Sequence, residues 1–244
     1  MRIGVSSEQG MRPFMEDAHV IRRDLNQAGD VFLGVFDGHS GSRASEYAAE
    51  FLPGRFNAAL KEGLGPEQAL ERAYQEISRE LDEEVSGTTA VTCYLRDDMI
   101  TVANAGDTRA LVVSRDWVRQ LTRDHRVEDP EERARILAQG GEINGSYVVF
   151  GGAGLMPTRS LGDAWFELAG VTPVPDVSTE RIGPGDQWLI AACDGLFDFM
   201  DNQTAANLVR GASSPQEAAS LLSQEVLITR MGTDNLTIIV LELE

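Results

Sequence analysis

The sequence predicts an α+β fold in which mostly antiparallel β-sheets carry helices on their outer faces. Segments typical of strands follow one another in runs, and helical segments come in pairs, without the regular strand–helix alternation of a parallel α/β fold. The chain has 244 residues, of which 42% are hydrophobic, so it is long enough to form one sizeable core. We therefore expect a single domain over residues 1–244.

The first half of the chain begins with strands and continues with a pair of helices. Residues 42–60 carry apolar side chains at helical spacing. Residues 66–84 have the same pattern and begin with Pro66, which is favoured in the first turn of a helix. The strands predicted before these helices are 3–7, 19–24 and 31–36.

The second half returns to strands and ends with another helix pair. A helix over 130–139 stops at two consecutive glycines, and residues 150–163 are glycine-rich and predicted to be irregular. Two helices are predicted over 202–210 and 215–228. The predicted strands of this half are 88–95, 99–106, 109–114, 117–121, 187–194 and 235–243.

The formal net charge of −18 argues against nucleic acid and anionic membranes as partners, because both need a basic surface. No stretch approaches the about 20 apolar residues of a membrane span, and the N-terminus lacks a signal-peptide pattern. Cys93 and Cys193 lie in apolar strands, so we expect them to be buried and reduced in a cytoplasmic protein. Neither cysteine is followed by the arginine that a cysteine phosphatase needs six residues later.

Acidic residues stand where predicted strands end. Asp37 directly follows the apolar strand 31–36, and Asp194 ends the apolar strand 187–194. A buried strand that delivers a carboxylate to its end indicates a site there. The other acidic residues at or near such places are Glu16, Asp17, Asp107, Asp163, Asp198 and Asp234.

Clustered carboxylates repel one another and stay ionised together only when cations balance them. Ligand sets made of oxygen favour hard ions such as Mg²⁺ or Mn²⁺. Gly38 and Gly195, which follow Asp37 and Asp194, would let the backbone approach an ion closely. An Asp-Gly pair is also an ordinary turn at the end of a strand, so each pair alone leaves both interpretations open.

Taken in order, the motifs of the chain resemble those of the metal-dependent (type 2C) serine/threonine protein phosphatases. The resemblance covers nearly the whole chain, and the ordered set is far more specific than any one motif. Its main segments are "RPFMEDAH" (12–19), "VFDGHSG" (35–41), "SGTTA" (86–90), "ANAGDTRA" (103–110), "LTRDH" (121–125), "TRSLGD" (158–163), "LIAACDGLFD" (189–198) and "TDNLT" (233–237).

The resemblance implies a four-layer α/β/β/α sandwich with two Mg²⁺ or Mn²⁺ ions at one end. Asp37 would bridge the two ions, and the carbonyl of Gly38 would bind one of them. Asp194 and Asp234 would complete the protein ligands of the other. The remaining implied metal-site residues are Glu16, Asp17 and Asp198, which would hold ion-bound waters, and Asp163, which would hold a third, weaker ion.

For catalysis, the resemblance implies hydrolysis of phosphoserine and phosphothreonine in protein substrates by a hydroxide that bridges the ions. Arg12 would bind the substrate phosphate, for which a guanidinium is suited. His39 would be the general acid that protonates the leaving oxygen. Together with Asp37, these are the implied catalytic residues, and we expect the protein to be a monomer.

Some alternatives stay open. A pseudophosphatase acting as a binding or regulatory module should have lost metal ligands, and none of the expected ones is missing here. A small-molecule phosphomonoesterase would keep the same metal site.

Three further features concern single positions or segments. We interpret Asp107 as structural. Ser40 replaces a usual glycine, which is harmless unless the backbone needs a positive φ. The short segment 164–176 corresponds to a variable flap beside the site.

Overall fold

The structure is a computed structural model that describes residues 1–243. Glu244, the last residue of the predicted domain, lies outside the described residues. The helices in chain order are α1 (Arg43–Lys61), α2 (Pro66–Glu80), α3 (Pro130–Ala138), α4 (Ala164–Glu167), α5 (Asp194–Phe197), α6 (Asn202–Arg210) and α7 (Pro215–Gln224). The strands are β1 (Ile3–Glu8), β2 (Ala18–Arg23), β3 (Val31–Phe36), β4 (Gly38–His39), β5 (Gly87–Thr88), β6 (Ala90–Arg96), β7 (Met99–Ala105), β8 (Arg109–Ser114), β9 (Val118–Gln120), β10 (Glu142–Asn144), β11 (Tyr147–Phe150), β12 (Ala153–Leu155), β13 (Leu161–Gly162), β14 (Asp176–Arg181), β15 (Asp186–Ala192) and β16 (Leu236–Glu242).

Two five-stranded sheets form the centre of the molecule. The first sheet has the strand order β1-β16-β15-β8-β9, and the second has the order β14-β7-β6-β3-β2. Their neighbouring strands are antiparallel throughout. Helices α1 and α2 pack on the second sheet, and α6 and α7 pack on the first. The predicted four-layer α/β/β/α sandwich is thereby confirmed.

The interior strand β3, which lies between β6 and β2, is buried along its whole length because it has packing partners on both faces. On the outer face, Phe32 packs among the side chains of α1 and α2, with its ring 5.4 Å from that of Phe56. On the inner face, Leu33 and Val35 join the cluster that includes Ile190 of the first sheet. Each such side chain contributes about 1.5–3 kcal/mol when fully buried. This anchorage makes the end of β3 a rigid support.

Two predicted helices end earlier than expected. The helix predicted over 66–84 ends at Glu80, because the acidic run 82–84 would lie at the negative end of the helix dipole. The helix predicted over 215–228 stops being α-helical after Gln224 and continues as a π-helical turn, Glu225–Thr229.

The prediction of an irregular segment over 150–163 is wrong. That segment contains β12 and β13, and β12 completes a three-stranded sheet with β10 and β11. Val148 and Leu155 of this sheet pack with Ile136 and Val171 in a separate small core. Glycines at the turns concealed these short strands from a pattern based on apolar alternation.

The edge strand β14 was not predicted, and its sequence, "DVSTER", explains why. It pairs along its length with β7 but buries none of its side chains fully. Both cysteines are buried and free, as expected. Within residues 1–243, no helix combines the length and apolar character needed to cross a bilayer.

Candidate active site

A cavity of about 920 Å³ lies where β3 and β15 end and β16 begins. It gathers every predicted site residue except Asp17. The predicted residues on its lining are Arg12, Glu16, Asp37, Gly38, His39, Asp163, Asp194, Asp198 and Asp234.

Asp37 is held by the backbone on both sides of it. Its carbonyl oxygen accepts a hydrogen bond of 2.9 Å from the amide of Thr89. The next residue, Gly38, passes so close to the loop before β2 that a Cβ atom would lie 2.3 Å from the carbonyl oxygen of Glu16. Only glycine fits there, which explains why the strand ends in an Asp-Gly pair.

Asp17 lies behind the cavity, beside Asp37. One carboxylate oxygen of Asp17, one of Asp37 and the Sγ of Cys193 all lie within 4.8 Å of one another. Both carboxylate oxygens of Asp17 are buried, and neither makes a hydrogen bond of normal geometry in the described part of the chain. Burial raises the pKa of Asp17 to about 6.

Asp37 and Asp194 lie close together on the cavity lining, and the charge of Asp194 disfavours that of Asp37. Burial, followed by repulsion from Asp194 and Asp17, raises the pKa of Asp37 well above its ordinary value. Burial, followed by repulsion from Asp107 and Asp198, raises the pKa of Asp194 to about 8. The pair is therefore short of positive charge.

Arg12 and Asp234 form an ion pair at the cavity mouth, with 2.6 Å between Nη2 and Oδ2. The Arg12 side chain is 54% exposed, so it is free to reach a ligand. Asn235 fixes the loop that carries Arg12, because its Nδ2 donates to the carbonyls of Gln9 and Phe14 at 2.8 and 3.0 Å.

His39 is oriented by a buried carboxylate. Its Nε2 lies 2.8 Å from Oδ2 of Asp163, which also accepts a 2.6 Å hydrogen bond from Oγ of Ser160. Burial alone would lower the pKa of His39, but the hydrogen bond and charge of Asp163 outweigh it, so the pKa is raised. A Cβ on Gly87 would lie 2.1 Å from Asp163 and 2.4 Å from His39, so this contact depends on a glycine.

The sequence profile of the family Protein phosphatase 2C matches residues 1–235 of this chain. The chain belongs to the protein phosphatase 2C family. A probable protein phosphatase 2C of Caenorhabditis elegans is 32% identical over 267 residues, which cover 99% of this chain and 74% of that relative. Protein phosphatase 2C homolog 2 of Schizosaccharomyces pombe is 32% identical over 273 residues, covering 98% and 72%.

Solved structures support the fold. The serine-threonine phosphatase 2C of Toxoplasma gondii matches with a TM-score of 0.89 at 22% identity, covering 99% of this chain and 94% of that one. The family match and the curated relatives, rather than these structures, make the chain an enzyme of the protein-serine/threonine phosphatase class. Dependence on divalent cations and action on phosphorylated proteins follow from membership of the protein phosphatase 2C family.

One residue beside the cavity, Arg126, was missed by sequence reasoning, and one on its lining, Asp107, was considered but not assigned to the site. Asp107, interpreted as structural, lines the cavity and is buried. Arg126 donates to Asp107 at 2.8 Å and also contacts Asp194 at 3.2 Å and Asp198 at 2.9 Å. The "NAGDTRA" motif marked Asp107 as a candidate, but nothing local in the sequence indicated that Arg126 would reach across to it.

Ser40 meets the condition under which the replacement of glycine is unfavourable. It has a φ of 60°, in the left-handed region, so this is a position where glycine is favoured. A non-glycine residue in that region costs about 1–2 kcal/mol.

The donor set fits a hard divalent cation. It consists of carboxylates and a backbone carbonyl, which are the ligands that Mg²⁺ and Mn²⁺ prefer. The unpaired buried carboxylate of Asp17 and the raised pKa of Asp194 both indicate missing positive charge. Arg126 supplies only part of it.

Proposed function

We propose that this cavity hydrolyses phosphoserine and phosphothreonine in proteins with two bound Mg²⁺ or Mn²⁺ ions. The observation that carries the proposal is the convergence of Asp17, Asp37 and Asp194, each within two residues of the end of a strand, with too little positive charge around them. A fold does not keep mutually repelling buried carboxylates for stability. Such a cluster is suited to binding cations.

We infer that Asp37, the carbonyl of Gly38, Asp194 and Asp234 hold the two ions. Glu16, Asp17 and Asp198 surround them as partners for bound water. Bound divalent ions would supply charge that stabilises a phosphoryl-transfer transition state and acidifies water. The resemblance predicts a third, weaker ion at Asp163. In the structure the carboxylate of Asp163 contacts His39, whereas Asp107 and Asp194 both contact Arg126.

Arg12 holds the substrate phosphate in this proposal. Its guanidinium lies at the mouth of the cavity, beside Asp234, and more than half of the side chain is exposed. A guanidinium donates two parallel hydrogen bonds to phosphate oxygens, which orients the group as well as attracting it. If a substrate phosphate replaced the carboxylate of Asp234 as a partner of the guanidinium, Arg12 would still be held at the cavity mouth.

His39 protonates the oxygen of the leaving serine or threonine. Asp163 fixes the ring through Nε2 and favours its protonated form. A protonated imidazole near neutral pH is the form that a general acid needs. Movement of the ring, or use of Nδ1, would be required for contact with substrate.

The experiment measures phosphate release from a phosphothreonine peptide with Mn²⁺, with Mg²⁺ and with excess EDTA. The parent protein is compared with Asp194→Asn and with Asp116→Asn, whose carboxylate is exposed and outside the cavity lining. We expect metal-dependent turnover that Asp116→Asn keeps and Asp194→Asn loses.

The same assay separates the alternatives. No turnover by folded parent protein with either ion would contradict the proposal and favour the pseudophosphatase. Turnover of small aryl or alkyl phosphates with none of phosphopeptides would favour a small-molecule phosphomonoesterase. The monomeric state and the cytoplasmic location stay predictions.

A further inference from the structure

The cavity has a second end that the proposed chemistry does not use. Its lining there comes from the loop after α2, from β11 and from the α4 region. Four apolar side chains of this end are strongly exposed: Val85 at 85%, Tyr147 at 46%, Trp165 at 57% and Leu168 at 60%. We call these four residues the apolar wall.

Trp165 is exposed but firmly placed. Its ring lies 5.2 Å from that of Phe150, centroid to centroid. A Cβ on Gly151 would lie 3.0 Å from Cζ2 of Trp165, so the indole packs directly on the turn between β11 and β12. One face of the ring is thus held by the small sheet, and the rest is left to solvent. A preorganised aromatic surface of this kind binds apolar groups at little entropic cost.

The apolar wall and the carboxylates line one continuous cavity. A sphere of about 920 Å³ is roughly 12 Å across, and an extended chain advances about 3.3 Å per residue. A peptide whose phosphate reaches Arg12 would therefore pass the apolar wall within about three residues. The size of the cavity matches a peptide segment better than a phosphate group alone.

Charge narrows the choice of peptide. Asp82 and Glu84 line the same end of the cavity, and the whole chain carries a net charge of −18. Acidic residues beside the phosphorylated one would be repelled at this end. The occupant that fits both features has an apolar side chain here and no acidic one.

We propose that the apolar wall selects substrates with a large apolar side chain within three residues of the phosphoserine or phosphothreonine. The proposal rests on the proposed function, because it assigns the rest of the same cavity to the same substrate. Trp165 and Leu168 are its specificity-determining residues. They determine which protein substrate binds, whereas the carboxylates of the cavity serve the hydrolysis of its phosphate.

The test compares phosphothreonine peptides that carry Leu, Ala or Glu at single positions from three before to three after the phosphothreonine. Activity is measured as kcat/KM with Mn²⁺, and p-nitrophenyl phosphate serves as a substrate without a peptide. The variants are Trp165→Ala and Leu168→Ser. Trp117→Ala is the matched control, because Trp117 is 42% exposed and lies off the cavity lining.

We expect the parent enzyme to prefer Leu over Ala by about tenfold at one or more positions, which is the effect of burying one large apolar side chain. Glu at those positions should be the poorest residue. Trp165→Ala and Leu168→Ser should each reduce the Leu preference to about threefold or less. Turnover of p-nitrophenyl phosphate should stay within about twofold of the parent, and Trp117→Ala should change neither quantity.

Other results overturn the inference. A parent enzyme that hydrolyses all peptides equally, or variants that keep the full Leu preference, would show that the apolar wall does not read the substrate. Association of the parent that Trp165→Ala abolishes, without any change in peptide preference, would assign the wall to a second copy of this chain. Absence of turnover of both the peptides and p-nitrophenyl phosphate by the folded parent protein would instead count against the proposed function.

Discussion

Two groups of carboxylates, each buried in whole or in part, have opposite surroundings in this protein. In the proposed metal-site group, Asp17, Asp37 and Asp194 lie close together, and burial, together with repulsion from nearby acids, raises the pKa of each. In the arginine-bound group, hydrogen bonds from Arg135 and Arg159 lower the pKa of Glu132. A hydrogen bond with His125 and the charge of Arg159 lower the pKa of Asp176.

Glu132 illustrates the second group. It is fully buried, and it accepts hydrogen bonds from Arg135 at 2.6 and 2.8 Å, from Arg159 at 2.7 Å and from Thr158 at 2.6 Å. Burial would raise the pKa of Glu132, but these donors outweigh it. Arg159 also contacts Asp176 at 2.7 Å, which ties α3 to the start of β14.

The difference separates structural acids from functional ones. A buried carboxylate that serves the fold brings its own cations, as Glu132 does with Arg135 and Arg159. A buried carboxylate that lacks them lowers the stability of the isolated chain and is kept for something that binds from outside. By this criterion Asp17, Asp37 and Asp194 form a binding site, and Glu132 does not.

The largest expected effect that tests this contrast is the loss of activity in Asp37→Asn. The change removes a charge at nearly constant volume, and the lost ion binding should lower kcat by at least about a thousandfold. The melting temperature of the metal-free protein should not fall, because a repelled charge is removed. Steady-state kinetics and thermal melting in EDTA measure the two quantities.

Asp30 provides the matched control at the other end of β3. Its carboxylate accepts hydrogen bonds from the amide of Leu25 at 2.7 Å and from Tyr94 at 2.8 Å. Asp30→Asn should therefore lower stability and leave kcat nearly unchanged. If Asp37→Asn instead unfolds the protein, Asp37 belongs with the structural acids and the contrast breaks down.

The second prediction concerns Glu132→Gln. This variant leaves Arg135 and Arg159 without their buried carboxylate, and breaking such a pair costs about 3–5 kcal/mol of unfolding free energy. Urea unfolding measures the loss. Glu131→Gln is the control: its side chain is 81% exposed, so the expected change is within about 0.5 kcal/mol. Equal stability of the two variants would contradict a structural role for Glu132.

Sequence reasoning reached the metal-site group because its signal is local. An apolar strand that ends in Asp37 or Asp194 is visible in a few consecutive residues, and the four-layer fold follows from the order of strands and helices. The arginine-bound group gives no such signal. Glu132 and Arg159 lie 27 residues apart, and only the fold brings them together. The same holds for Arg126 and Asp194.

Short or polar segments were missed for a different reason. The side chains of β14 are partly exposed, and the strand pairs through its backbone. It therefore has no alternation of apolar and polar residues from which a strand could be predicted. The left-handed φ of Ser40, at 60°, is a backbone angle that the identity of the residue did not indicate. Of the apolar wall, the sequence indicated only that Trp165 and Leu168 belong to a variable segment, 164–176, beside the site.

Asp163 sharpens the contrast, because it is buried but bound to a histidine. If it positions His39 as general acid, Asp163→Asn should lower kcat for a phosphothreonine peptide by about 10–100-fold, within the range of general acid catalysis. Hydrolysis of p-nitrophenyl phosphate should change less than about threefold, since its leaving group needs little protonation. Ser160→Ala, which removes the other partner of Asp163, should have a smaller effect. Equal losses on both substrates would assign Asp163 to an ion instead.

The smallest expected effect is the pH dependence of stability without metal. In the folded protein the pKa of Asp17 is about 6 and that of Asp194 about 8, against about 3.9 in the unfolded chain. Between pH 5 and 8 the folded state therefore binds more protons than the unfolded state, and stability falls as the pH rises. His39, whose pKa is raised, acts in the same direction. We expect the melting temperature in EDTA to drop by a few degrees.

Glu132 and Asp176 do not disturb this test, because their lowered pKa values confine their contribution to a loss of stability at acidic pH. Mn²⁺ competes with the protons, so its stabilisation should be greatest at pH 8. At a hundred times its Kd it amounts to about 2.7 kcal/mol, or roughly 5–10 °C. Asp194→Asn should flatten the EDTA profile and reduce the Mn²⁺ shift. A melting temperature that rises from pH 5 to 8 in EDTA would mean that the metal-site carboxylates are already balanced within the chain, and the distinction between the two groups would be lost.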